Sequence, residues 1–336
     1  MNLKIVIKDI LDPDLKLIWE KFERNSENYC FQNYYWCKHW YEIVSEKTIS
    51  YIVLVYDDLN QVMLLPLCVE KFFGVKCLRW MGGLQSDYMN GLYVKNLSIT
   101  KKEFNILWKN ILTEINKFDL IFLDKQPEFI NNTKNPFVDF IQCKKISVSH
   151  YVDKEKLTSF NFSTKKKSNI KIKFLLLNNS SDYIKNLLNI LTEKIKRLKN
   201  KKLRNIFNKK NIKFYLDFDT KKLENGSVHL SKLLINNAEV AGHWGIVYKK
   251  RFYYLLPSVF ESDFLKYSPG KVLINELINW AKKNNIDIFD FAIGDESYKK
   301  ESSNKSLDLY RYCDFKNVRG YFFFLIYFFR IILKKS

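Results

Sequence analysis

At 336 residues the chain is longer than one hydrophobic core usually serves, so two modules are expected, and its 47% hydrophobic and 16% aromatic content excludes a disordered polymer. A formal net charge of +20, from 56 Lys and Arg against 36 Asp and Glu, favours anionic partners: nucleotide cofactors, nucleic acid or acidic lipid headgroups. Lys, Asn and Ile are abundant along the whole chain, which dilutes that signal.

Six cysteines without a CxxC pair and four histidines without metal-ligand spacing argue against structural zinc and a disulfide framework. The N-terminus mixes charge into every apolar run and lacks the core of a signal peptide, so a cytoplasmic chain is expected.

LKIVIKDI reads as a short strand, followed by a helix from Leu15 to about Asn25 and another over Asn33–Val44, where Tyr34, Trp40, Tyr41 and Val44 share a face. YIVLVYDDLNQVMLLPLCVEKFF is a hairpin with its turn at Asp57 to Gln61. A further strand in VKCLRW is broken by Gly82-Gly83, KKEFNILWKNILTEINK has helical spacing, and FDLIFLDKQP is a strand ending at Pro127.

The basic stretch STKKKSNIKIK, from Ser163 to Lys173, marks the module boundary or lies just past it. The expected division is 1–155, 156–318 and an aromatic, basic C-terminal helix at 319–336. The second module opens on a long helix, SSDYIKNLLNILTEKIKRLKNKK. An antiparallel meander follows, three strands turning at Asn236-Asn237 and Lys249-Lys250. SPGKVLINELINWAKKNN is an amphipathic helix with Ser268 as N-cap and Pro269 at its first position, and IDIFDFAIG is a buried strand. The fold class is α/β, a mixed sheet with flanking helices in each module.

The apolar run from Tyr321 to Leu333 contains Arg330 and is too short for an ordinary membrane span of about twenty residues. It reads either as a terminal helix packed on the core or as an interfacial helix with Lys334 and Lys335 among anionic headgroups.

The helix starting at Ser268 presents backbone amides and the positive end of its dipole, and Gly270 leaves room for a ligand such as a pyrophosphate. Lys271 adds charge there, while Pro269 lacks an N–H.

Three groups of residues in this half carry a resemblance: Ala241-Gly242-His243 in the meander, Ser268-Pro269-Gly270 with Leu273 at the helix start, and Asp290-Phe291 leading to Gly294-Asp295-Glu296 and Tyr298-Lys299. With Pro66-Leu67 and Ser86-Asp87-Tyr88 in the first half, the chain resembles the GNAT acyltransferase superfamily, in its CelD-like (cellulose-biosynthesis protein) branch related to FemAB-like tandem GNAT proteins. The longer glycine-rich phosphate motif of typical members is reduced here to one glycine.

The resemblance implies tandem GNAT-like folds and acyl-CoA, with acetyl-CoA as the expected form, held without metal by Ser268, Pro269, Gly270, Lys271 and Val272. It implies direct acyl transfer to a nucleotide- or lipid-linked sugar in cell-surface polysaccharide synthesis. Direct transfer needs a base for the acceptor's proton and a donor for the leaving thiolate. Asp295 or Glu296 is the carboxylate candidate for the base and His243 its rival, with Tyr298 as donor, Lys299 steadying either charge, and Asp87, Tyr88 and Asp290 around the acceptor. Trp244 and Tyr254 read as core. Two alternatives stand beside this reading: aminoacyl transfer from charged tRNA, as in FemAB-like proteins, and a noncatalytic scaffold held on membranes by the C-terminus.

Overall fold

The computed structural model describes residues 3–159, 170–178, 181–202 and 205–332. Most of the expected boundary stretch at Ser163–Lys173, and both Lys334 and Lys335, lie outside the described residues. Packing divides the chain into two units, one made of residues 1–147 and 307–336 and the other of residues 148–306.

In the first unit the sheet order is Leu3–Lys8, Ile49–Asp57, Asn60–Phe72, Val75–Trp80, Leu120–Pro127 and Lys305–Phe315. All neighbours are antiparallel except Val75–Trp80 with Leu120–Pro127, which the Lys101–Ile115 helix connects as a parallel pair. Ile52–Val55 and Val62–Val69 are buried without alternation, which requires cover on both sheet faces, and the helices supply it. The Lys101 helix begins with a capping box in which Thr100 and Glu103 satisfy each other's backbone amides.

The second unit repeats this order with different residues. Its strands run Ile172–Leu176, Gly226–Ile235, Ala238–Tyr248, Arg251–Val259, Ile288–Ile293, and then Val148–Val152, the end of the Lys144–Val152 strand. Again one pair is parallel, Arg251–Val259 with Ile288–Ile293, and the Pro269–Lys283 helix makes the crossover. Asn236 and Asn237 both take positive φ, as a tight two-residue hairpin demands, and so do Lys249 and Lys250 at the next turn. The core lies between sheet and crossover helix, where Leu273, Ile274, Leu277 and Ile278 meet Phe252, Phe289 and Phe291.

Two corrections concern elements. Ser268 stands at the N-cap position but in the left-handed region, at φ 54°, and its side chain makes no capping bond. The strands Lys144–Val152 and Lys305–Phe315 are additional to the sequence reading; the second carries the chain back into the sheet of the first unit. Among the described residues no helix is long and apolar enough to cross a membrane.

Candidate active site

The parallel strands of the second unit pair only from Arg251–Ile288 to Tyr253–Asp290, and beyond that point a cleft of about 760 Å³ opens. Its walls are Tyr254, Pro257 and Val259 from one strand, Glu296 and Tyr298 from the turn after the other, the start of the Pro269 helix, and a face of the Tyr183–Asn200 helix. Ser268, Pro269, Gly270 and Lys271 line it, while Val272 turns inward and is buried. Four of the five expected cofactor residues are thus brought together with Glu296 and Tyr298.

The helix start offers little backbone by itself. Pro269 has no N–H and the Lys271 amide returns to the Ser268 carbonyl at 2.9 Å, which leaves the Gly270 amide as the first-turn donor. A β-carbon at Gly270 would stand 3.2 Å from Val259 Cγ2, so the helix end is close to the strand and clear of larger side chains.

Most of the positive charge comes instead from the facing helix, whose cations the sequence reading did not assign to the cofactor. Lys194 and Arg197 lie three residues apart on the Tyr183–Asn200 helix, Lys201 is its C-cap four residues further on, and all three line the cleft with Lys196. Lys194 donates to the Pro257 carbonyl at 3.2 Å. Arg197 reaches two phenols electrostatically: its charge partly offsets the rise in the Tyr254 and Tyr298 pKa values caused by burial.

Tyr298 is raised above the ordinary phenol range by burial and then by the Glu296 carboxylate, so it is protonated at neutral pH and able to donate. Lys299 is buried; its ammonium donates to the Ile293 carbonyl at 2.6 Å and lies 3.2 Å from Glu296. Gly294 permits this turn: its φ is +131°, and a β-carbon there would come within 2.8 Å of the Lys299 nitrogen. Asp295 points elsewhere, to Lys300 at 2.7 Å and His150 at 3.0 Å, and these partners hold its carboxyl below the usual range. Asp295 does not line the cleft, whereas Glu296 does.

Two other expected site residues of this unit are placed away from the cleft surface. His243 is fully buried, its ring stacked on Tyr254 at 4.9 Å with Phe252 at 5.3 Å and His229 at 5.6 Å beside it. Burial holds its pKa well below 6.5, so it is a neutral core ring rather than an exposed base. Asp290 is also fully buried: it accepts from Arg251 Nε at 2.8 Å, from Ser149 Oγ at 3.3 Å and from the Ala292 amide at 2.8 Å. Its carboxylate therefore serves the sheet, where it holds Ala292 in a left-handed conformation. Tyr88, in the first unit, is buried against Tyr29 at 4.8 Å and Phe31 at 5.7 Å, and Asp87 beside it acts on Lys125, whose ammonium donates to the Ser86 carbonyl. Tyr254 is both core and wall. Among the described residues no group of His, Cys, Asp or Glu is arranged to hold a metal ion.

Comparison with known proteins gives this geometry a name. Residues 185–300 match the Acetyltransferase (GNAT) domain. The GNAT domain thus takes in the Lys194–Lys201 face, the meander, the Pro269 helix and the Glu296–Lys299 turn. No curated protein sequence matches the chain. Solved structures share the fold over almost the full length. FemX aligns at TM-score 0.58 and 11% identity, covering 92% of this chain and 97% of its own. A tandem GNAT protein from the clavulanic acid biosynthesis pathway aligns at 0.54 and 9%, covering 94% and 98%. L-PGS from Bacillus licheniformis aligns at 0.54 and 13%, covering 98% and 99%. The architecture is therefore that of tandem GNAT-like folds, and the GNAT domain supports an acyltransferase.

Proposed function

We propose that the second unit is an acyl-CoA-dependent acyltransferase, with acetyl-CoA as the first donor to try and an amine or hydroxyl of a sugar or glycoconjugate precursor as acceptor. The observation that carries the reading is the cleft at the strand fork, where a helix start, a row of cations and an acid–phenol pair face the same space.

The residues fit such a donor. A space of about 760 Å³ lies within the range of cofactor pockets. Lys194, Arg197, Lys201 and Lys271, with the Gly270 amide, suit phosphate oxygens, and Tyr254, Val259 and Phe260 suit an apolar arm. When bound, the donor supplies an activated thioester whose thiolate is a good leaving group.

The chain supplies the proton handling. Glu296, on the cleft wall and kept in place by Lys299, takes the acceptor's proton as its nitrogen or oxygen bonds to the acyl carbon. Tyr298, kept protonated, donates to the sulfur as the carbon–sulfur bond breaks.

Resemblance to the CelD-like branch supports a polysaccharide precursor as acceptor. A charged tRNA is the alternative donor that the same cationic wall would serve.

Thermal melting with acetyl-CoA and longer acyl-CoAs tests the reading, on the native chain and on Gly270→Glu. A donor that binds the folded state raises the midpoint by mass action, and the carboxylate introduced at the helix start should abolish the rise. No rise with any acyl-CoA would remove the acyl-CoA reading and make charged tRNA the next donor to test.

A further inference from the structure

Away from the cleft, the first unit carries an exposed apolar surface that the acyltransfer reading does not use. Over its described side chains, the Val318–Ile332 helix is seated through Phe323 and Phe324, which pack on Cys77, Leu120 and Phe122, and through Gly320, which comes so close to the Asp119 carbonyl that no β-carbon would fit. Its other side leaves Val318, Phe322 and Ile326 exposed by 69%, 57% and 55%, with Tyr321 at 41%.

A second, separate element adds to this surface. Phe73, at the tip of the hairpin between Asn60–Phe72 and Val75–Trp80, is 92% exposed and has φ +46°. Its neighbours Phe72 and Val75 pack on the same three residues as Phe323 and Phe324, so the hairpin end and the helix flank one cluster of Cys77, Leu120 and Phe122. A phenylalanine in a left-handed turn position is strained, and its ring, 92% exposed, adds little to the core.

The rim is basic. Lys71 and Lys76 flank the hairpin tip and Lys316 and Arg319 the helix start, and all four are exposed. Of the acids nearby, Asp119 is tied to the Lys76 amide at 2.9 Å and to Asn317 at 2.7 Å, Glu70 pairs with Arg79 at 2.8 Å, and Asp314 is exposed.

We propose that this patch docks on an anionic membrane surface, with Phe73 and the Phe322–Ile326 side of the helix entering the headgroup region and the four cations meeting acidic lipid phosphates. Charge selects this occupant. A second copy seated symmetrically would bring Lys71, Lys76, Lys316 and Arg319 against themselves on a chain whose net charge is already +20, whereas an acidic bilayer offers countercharge and an apolar interior together. Tyr321, apolar in body and polar at its tip, suits the depth at which the two regions meet.

The test is co-sedimentation of the full chain with phosphatidylcholine vesicles with and without phosphatidylglycerol, beside Phe73→Ser, Phe322→Ser and the double variant Lys71→Glu/Lys76→Glu. The expected result is binding to the phosphatidylglycerol vesicles that salt weakens and that each variant lowers about tenfold. Phe73 touches little, so its substitution leaves the melting temperature unchanged and separates docking from folding. Absence of vesicle binding by the native chain would overturn the proposal. So would Phe73→Ser binding like the native chain, or a dimer in sedimentation velocity that Phe73→Ser dissociates.

Discussion

The Lys299 ammonium lies 3.2 Å from the Glu296 carboxylate while donating to the Ile293 carbonyl, so a buried cation is fixed beneath a carboxylate of the cleft wall. The arrangement gives Lys299 two separable effects. Lys299→Met keeps most of the stem and removes the charge, and the Ile293 carbonyl loses its donor at a cost of about 1–3 kcal/mol of stability. If Glu296 is the base, kcat should also fall by about 100-fold with little change in the KM for acyl donor. Steady-state kinetics against both substrates checks this, and an unchanged kcat in a folded variant would mean that the Lys299 charge is not needed to position Glu296.

Asp290 gives a contrasting expectation. Its ion pair with Arg251 is almost fully buried, with side-chain exposures of 0% and 8%. Asp290→Asn leaves the guanidinium without its countercharge, which typically costs about 3–5 kcal/mol. Urea unfolding should show that loss, with no specific effect on acceptor KM in the protein that remains folded. A variant of native stability with a raised acceptor KM would instead return Asp290 to the acceptor site.

These two residues also show what the sequence disclosed. The meander, crossover helix and final strand were legible because their turns carry local signals: the Asn236-Asn237 pair, the Ser-Pro-Gly start and the apolar run in Ile288–Ile293. Asp290 was misread because its partner is 39 residues away, and nothing local tells a buried ion pair from a ligand-facing acid. The cations of the Tyr183–Asn200 helix were visible in spacing, but in a chain so rich in Lys a charged helix face also suits plain solvent exposure. Lys144–Val152 and Lys305–Phe315 escaped notice for a related reason, since their places in the sheets depend on pairings with strands far off in sequence.

Acid should destabilise the second unit through its histidines. Burial lowers His229 from 6.5 to about 3 and His243 well below 6.5. Below about pH 6.5 the unfolded chain takes up protons that the folded chain refuses, so this contribution is fully present above that pH and is lost as pH falls toward 3. The slope is about 1.4 kcal/mol per pH unit for each ring, best read between pH 6 and 5, before most carboxylates titrate. Urea unfolding at several pH values should show it, and His229→Phe should flatten the slope by about one proton. An unchanged slope would mean that His229 becomes charged without unfolding.

The cationic face of the cleft makes the most direct prediction for the donor. Arg197 lines the space shared by Gly270 and Tyr298, and a guanidinium there can hold a phosphate with two parallel hydrogen bonds. Arg197→Ala should raise the KM for acyl-CoA about tenfold, and Arg197→Lys should recover only part of it because the fork is lost. Lys201→Ala should act in the same direction, and both variants should bind donor with a weaker dependence on ionic strength than the native chain. A donor KM unchanged in both variants would place the donor's phosphates away from this helix.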